Sequence, residues 1–108
     1  MRTPDDVLTE IRKTRAELER GSSALYAAEL NAERCKEAAQ LALDKALLTA
    51  DGSIPEKQAL SRIASVAERD VAFIARAEYN RIRSKISELD SLLMSLHGEL
   101  KWLREVGA

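Results

Sequence analysis

The sequence predicts an all-α protein, a single domain spanning residues 1–108 and folded as one long antiparallel two-helix hairpin. Its 108 residues include only two prolines and four glycines, too few for the many turns of an all-β fold. Apolar and small residues recur at alternating steps of three and four along most of the chain, which is typical of coiled-coil helices. A helix stop signal followed directly by a helix start signal divides the chain once, near its middle.

Helix one is predicted to run from about residue 4 to residue 50. Thr3 can cap its first turn, and Pro4 suits the first helical position. The apolar and small residues at heptad spacing form a stripe along this helix, which we call the seam. The seam keeps its phase through Gly21-Ser22-Ser23, so we expect a continuous but weakened helix there, with a kink as the alternative. The seam consists of Val7, Ile11, Thr14, Leu18, Gly21, Leu25, Ala28, Ala32, Cys35, Ala39, Ala42 and Ala46.

The turn is predicted at residues 51–53, Asp51-Gly52-Ser53. Gly52 suits the left-handed position that ends a helix. Ser53 and Glu56 have the spacing of a capping box, and Pro55 is tolerated in the first turn of a new helix. A short connection between two long helices produces an antiparallel pair.

Helix two is predicted to run from about residue 54 to residue 106. We expect its first half to bury a less regular stripe of Leu60, Ile63, Ala64, Ala67, Val71, Ile74 and Ala75. The second half carries an unbroken heptad pattern of Ile82, Ile86, Leu89, Leu93, Leu96, Leu100 and Leu103, which Leu92 broadens.

The second half of helix two has more large apolar residues than the facing part of helix one. Helix one therefore leaves part of this apolar surface uncovered. Exposed apolar stripes of this kind mark interfaces. We therefore expect a homo-oligomer that forms through this segment, with Trp102 as an anchor. The predicted interface residues are Leu89, Leu92, Leu93, Leu96, Leu100, Trp102 and Leu103.

The sequence contains no pattern typical of an enzyme, and we expect no catalytic residue, metal, cofactor or small-molecule substrate. His97 is the only histidine and has no partner at a recognisable motif spacing. Cys35 is the only cysteine and occupies a seam position, where a free thiol behaves as a small hydrophobe. Neither a signal peptide nor an apolar stretch of about 18 residues is present, so we expect a cytoplasmic protein that does not bind membranes.

Basic residues cluster in the middle of helix two. Arg76, Arg81, Arg83 and Lys85 lie within ten residues, with Glu78 the one acidic residue among them. Because the net charge of the chain is −1, affinity for nucleic acid would have to come from such a local patch. The alternative is that these side chains are ordinary solvated flanks of a coiled coil.

A family resemblance is carried by the segment Ala67-Glu68-Arg69-Asp70-Val71. This segment lies after a Gly-containing turn and before a hydrophobic C-terminal stripe. From about Ala38 onward the chain resembles the phage recombination mediator proteins of the UvsY type. The resemblance implies a ring-like oligomer, held by C-terminal helices, that binds single-stranded DNA and helps to load a recombinase in the cytoplasm of a bacterial host. Lys45 matches a DNA-binding basic position before the loop, whereas Leu47 stands where a second basic residue is expected.

A protein-directed role is the alternative function. A coiled-coil adaptor, a small phage inhibitor or a phage structural protein would use the same helical hairpin without binding nucleic acid. The secreted helical hairpins with a Trp-x-Gly turn are excluded, because the turn here, Ala50 to Pro55, contains no tryptophan.

Overall fold

The computed structural model describes residues 1–107 and contains three α-helices in that range. They are α1 (Pro4–Thr49), α2 (Ile54–Ala64) and α3 (Val66–Gly107). The chain forms two compact units: unit 1 comprises Met1–Leu25 with Arg81–Ala108, and unit 2 comprises Tyr26–Asn80. The prediction of an all-α helical hairpin is confirmed, since α1 is followed by a short turn and then by helices that pack against it.

Helix α1 begins and continues as predicted. The backbone N–H of Asp6 donates to Thr3 Oγ1 (3.3 Å), and the N–H of Thr3 donates to the Asp6 carboxylate (2.9 Å). This reciprocal cap satisfies donors that the first turn of a helix leaves unpaired. The helix continues unbroken through Gly21, which confirms the expectation drawn from the seam. All twelve predicted seam residues of α1 are buried or half-buried.

The turn between α1 and α2 contains the predicted glycine conformation and the predicted serine cap. Gly52 adopts a φ of 114°, a left-handed conformation that L side chains rarely adopt. Ser53 is the N-cap of α2, and its hydroxyl accepts a hydrogen bond from the backbone N–H of Glu56 (3.4 Å). The stop and start signals of the sequence are therefore realised as the end of α1 at Thr49 and the start of α2 at Ile54.

The predicted continuity of helix two is wrong, because Ser65 separates α2 from α3. Ser65 has φ −102° and ψ 9°, and its hydroxyl donates to the carbonyl of Ser61 (2.8 Å). A serine that bonds back to the carbonyl four residues earlier tends to bend a helix. The backbone bonds from Ser65 N–H to Ser61 O and from Arg69 N–H to Ser65 O persist, so the chain bends without unwinding.

The predicted seam in the first half of helix two is also wrong, apart from Ala75, which is buried. Leu60, Ile63, Val71 and Ile74 are exposed, together with Ala64 and Ala67. The residues of this segment that are buried or half-buried are Lys57, Ser61, Ser65, Ala72, Ala75 and Tyr79. From Ser61 onward they continue the heptad phase of Ile82 to Leu103 backwards, and most are small, which suits packing against the alanine-rich part of α1.

Unit 1 has its own apolar core. Val7 and Ile11 of α1 pack with Leu96 and Leu100 of α3, and all four are buried. Leu8, Leu93 and Leu103 pack around this cluster. Arg2 forms a bidentate pair with Glu10 (2.9 and 2.8 Å) and also contacts Glu99, which links the start of the chain to α3.

Candidate nucleic-acid interface

A groove in unit 2 brings three cations together beside an exposed aromatic ring. It has a volume of about 430 Å³ and lies between α1 and α3. Its lining residues are Ala32, Glu33 and Lys36 of α1, and Arg69, Ala72, Phe73 and Arg76 of α3. Three cations therefore face one carboxylate, so the groove is locally basic although the whole chain is not.

The two helices position these side chains through their heptad phase. Ala32 and Ala72 are seam residues, and their small side chains leave an open floor. Arg76 follows directly after the seam residue Ala75, and Arg69 lies seven residues before Arg76. Residues seven apart on an α-helix lie about two turns apart on the same face. Both guanidinium groups therefore lie along one wall of the groove, with Lys36 on the other.

Local contacts orient both arginines of the groove. One Arg69 Nη atom donates to the backbone carbonyl of Arg62 (2.6 Å), beside the bend at Ser65. The Arg76 guanidinium lies 5.2 Å from the ring centroid of Tyr79, a cation–π distance. Because a guanidinium has five N–H donors, both arginines keep donors for an anionic ligand.

Phe73 presents its ring to solvent at the edge of the groove. Its side chain is 76% exposed, which is unusual for the largest apolar side chain of a folded unit. A planar ring next to cations is the combination with which proteins bind single-stranded nucleic acid: phosphates pair with the cations and bases stack on the ring.

The structure brings only one of the predicted nucleic-acid-binding residues into this groove, Arg76. Lys45 is exposed on α1 in unit 2 but does not line the groove. Arg81, Arg83 and Lys85 are exposed and belong to unit 1. Residues two apart on a helix differ by about 200° in direction, so Arg83 points away from both Arg81 and Lys85.

Sequence reasoning missed Lys36, Arg69 and Phe73. A signal was present, because Arg62, Arg69 and Arg76 repeat at intervals of seven residues. Such a repeat identifies one face of a helix only when the seam of that helix is placed correctly. The seam was misplaced in this segment, so the arginine repeat did not stand out.

The residues predicted as an oligomer interface lie in unit 1, where many of them are core residues. Leu89, Leu96 and Leu100 are buried within a single chain, because the facing part of α1 covers them. They are therefore not accessible to a partner of the folded unit, and their assignment to an interface is corrected. Leu93 and Leu103 are half-buried, whereas Leu92 and Trp102 are exposed.

The remaining candidate residues have ordinary surroundings. Arg15 lies 3.4 Å from Nε2 of the exposed His97, and the half-buried Cys35 donates from Sγ to Asn31 Oδ1 (3.7 Å). Within residues 1–107, no three His, Cys, Asp or Glu side chains are grouped so that they could hold a metal ion. None of the helices in that range combines the length and apolar character needed to cross a membrane.

Comparison with known proteins provides no further assignment. No protein-family model, curated protein or solved structure matches this chain.

Proposed function

We propose that this protein binds single-stranded DNA through the basic groove of unit 2. The observation that carries the proposal is the convergence of Lys36, Arg69 and Arg76 beside the exposed ring of Phe73. The three cations would contact successive phosphates, and their binding would release condensed counterions. Phe73 would stack on a base, an interaction that tolerates any sequence because every base has a π-face.

The resemblance to UvsY-type mediators supports the same ligand and suggests its context. In that reading the protein organises single-stranded DNA so that a recombinase can load onto it. The basic groove supports the DNA-binding part of this proposal, and the role in recombinase loading rests on the resemblance alone. DNA binding is therefore the part of the proposal to test first.

The test is a titration of fluorescently labelled oligo-dT at several salt concentrations with the full-length chain. We expect binding at low salt that weakens steeply as salt rises. Arg69→Ala/Arg76→Ala should remove up to two phosphate contacts and reduce the slope of log K against log salt by about 1.4, at about 0.7 per contact for single strands. Phe73→Leu should weaken binding by about 1–3 kcal/mol and leave the salt slope unchanged.

The matched control is Arg12→Ala/Arg34→Ala, which removes the same charge from exposed positions of α1 outside the groove. If this control weakens binding as much as the groove variant, the effect is one of net charge and the groove is not the site. Absence of oligo-dT binding at low salt would refute the proposal. Lys45→Ala and Arg83→Ala separately test the other two predicted regions.

A protein-directed role is the second candidate function, and a different observation favours it. Unit 2 leaves large apolar side chains on its surface, among them Leu48, Ile54 and Ile63. Exposed apolar surface of this kind marks protein interaction sites. An adaptor, inhibitor or structural protein would use that surface and leave the basic groove without a ligand.

A further inference from the structure

A second group of basic side chains lies in unit 1, near the end of α3. A groove of about 420 Å³, here called the unit 1 groove, is lined by His97, Leu100, Lys101, Arg104 and Glu105. Lys101 and Arg104 follow His97 by four and seven residues, which places all three within an arc of about 60° on one face of the helix. These three side chains are exposed and Leu100 is buried, so the groove presents basic groups above an apolar floor.

Helix α1 adds a fourth basic side chain to this group. A terminal nitrogen of the Arg15 guanidinium lies 3.4 Å from Nε2 of His97. A guanidinium only donates, so the ring nitrogen is the acceptor in this contact and carries no charge there. The contact is also longer than a typical protein hydrogen bond. An anionic oxygen would be a better acceptor for Arg15, because charge-assisted hydrogen bonds are about twice as strong as neutral ones.

Little negative charge opposes these groups. Among residues 1–107, neither Lys101 nor Arg104 lies within ion-pairing distance of a carboxylate. Glu105 is the only acidic residue among the described residues that line the unit 1 groove. It follows His97 by eight residues, which places it about 80° away, at the edge of the basic face. The donors of Lys101 and Arg104 are therefore available to an anionic ligand.

The unit 1 groove takes two of its basic residues from a repeat along helix two. Positions at intervals of seven residues carry, in order, Arg62, Arg69, Arg76, Arg83, Asp90, His97 and Arg104. Six of these seven positions are basic, although lysine, arginine and histidine make up only about one-sixth of the chain (18 of 108 residues). Positions on the other side of the seam, Lys85, Leu92 and Glu99, show no such preference. Solvated flanks of a coiled coil would carry charges of both signs on both sides, so the repeat favours an anionic ligand.

We propose that unit 1 carries a second phosphate-binding site, formed by the basic side chains Arg15, His97, Lys101 and Arg104. Phosphate fits these donors, because an arginine fork pairs with two phosphate oxygens and a lysine contacts them as a point charge. The backbone of single-stranded DNA and a free polyphosphate both offer such groups. The DNA source rests on the function proposed above, whereas phosphate binding at this site does not.

The first test is an NMR titration of the full chain with inorganic tripolyphosphate at constant ionic strength. We expect saturable shifts of the backbone amides at His97, Lys101 and Arg104, from which the Kd is taken. Lys101→Ala/Arg104→Ala should raise this Kd by about tenfold, because two ion pairs with the probe are lost.

The matched control is Lys13→Ala/Arg20→Ala. It removes one lysine and one arginine from exposed positions of unit 1 outside the groove, so the net charge of the two double variants is the same. We expect it to change the Kd by less than about twofold, because exposed charges away from the probe are screened by salt. Circular dichroism checks that both double variants keep their helix content.

Two results of this titration would overturn the proposal. Shifts that grow linearly without saturation would mean that unit 1 has no site for the probe. Equal losses of affinity in the two double variants would mean that the probe responds to net charge and not to the unit 1 groove.

Oligo-dT then separates the two sources of phosphate. The three cations of the unit 2 groove alone would limit the slope of log K against log salt to about 2.1, at about 0.7 per contact. If DNA also occupies the unit 1 site, the slope exceeds this value and Lys101→Ala/Arg104→Ala lowers it by about 1.4. An unchanged slope, with tripolyphosphate still bound, assigns the site to a free polyphosphate.

The second site and the proposed function fail in different ways. If tripolyphosphate binds unit 1 and oligo-dT does not bind at all, the proposed function is refuted and the second site stands. If oligo-dT binds and only Arg69→Ala/Arg76→Ala weakens it, while tripolyphosphate causes no shifts in unit 1, the second site alone is refuted.

Discussion

Gly21 offers the sharpest test of how closely α1 and α3 pack in unit 1. A Cβ atom added at Gly21 would lie 3.2 Å from Cγ1 and 3.4 Å from Cδ1 of Ile86. Gly98 provides a matched position, since it also lies within a helix but a Cβ added there meets no atom within 4 Å. Gly21→Ala and Gly98→Ala therefore make the same chemical change in a crowded and in an open environment.

The expected magnitudes follow from two opposing effects. Replacing a glycine in a helix interior by alanine stabilises the helix by about 0.5–1 kcal/mol. Gly98→Ala should show this gain in full. At Gly21 the new methyl group is a few tenths of an ångström closer to Ile86 than the optimal carbon separation of about 3.5–4.0 Å. Overpacking of this kind costs about 1–3 kcal/mol, so we expect Gly21→Ala to be destabilising overall.

The assay is urea unfolding followed by far-UV circular dichroism at one fixed protein concentration, because self-association would shift the apparent free energy of unfolding. A third variant isolates the contact. In an Ile86→Ala background the crowding atoms are absent, so Gly21→Ala should stabilise by about the same amount as Gly98→Ala does in the unmodified chain.

If Gly21→Ala stabilised the unmodified chain as much as Gly98→Ala does, the predicted crowding at Gly21 would be refuted. That result would mean that α1 and α3 are further apart at Gly21 than the structure shows, or that Ile86 moves aside without cost.

Two further predictions concern the core and the start of α1. Leu96→Ala should lower the free energy of unfolding by about 2–5 kcal/mol, and Leu92→Ala should lower it by less than about 1 kcal/mol. The reason is burial, because Leu96 is 3% exposed and Leu92 is 46% exposed. Equal losses would contradict the assignment of Leu96 to the core of unit 1. Hydrogen bonds from Thr3 hold the pKa of the Asp6 carboxyl below its usual value, so the cap should contribute its full stability above the unfolded-state pKa of about 3.9 and lose it as the pH falls through the lower folded-state pKa. In an NMR titration, the chemical shift of the Thr3 amide should change as the Asp6 carboxyl is protonated, and Asp6→Asn should abolish that change. A carboxyl whose pKa has its ordinary value would show that the cap is not formed.

The fold class followed from the sequence because its signals are local. The Thr3 cap, the positive-φ glycine at position 52 and the Ser53 cap each depend on a few neighbouring residues, and all three are found in the structure. The seam of α1 and the second half of the α3 seam were equally readable, because their spacing is regular over many turns.

The first half of helix two could not be read in the same way, because it carries two heptad stripes. One contains Leu60, Val71 and Ile74, and the other contains Ser61 and Ser65. Hydrophobicity alone favours the first stripe, yet the structure buries the second. The deciding factor is the partner: the alanine-rich part of α1 packs closely against small side chains, and the sequence of one helix does not contain that information.

Prediction of the candidate site also depended on which stripe of helix two is buried. Arg76 was identified from charge alone, but its grouping with Lys36 and Arg69 requires knowledge of which face of α3 turns towards α1. By itself the sequence determined that this protein is a helical hairpin with its turn at Gly52. The tertiary structure decided which stripe is buried, and so which cations meet in one groove and which apolar face remains exposed, because packing between helices depends on the shape of both partners.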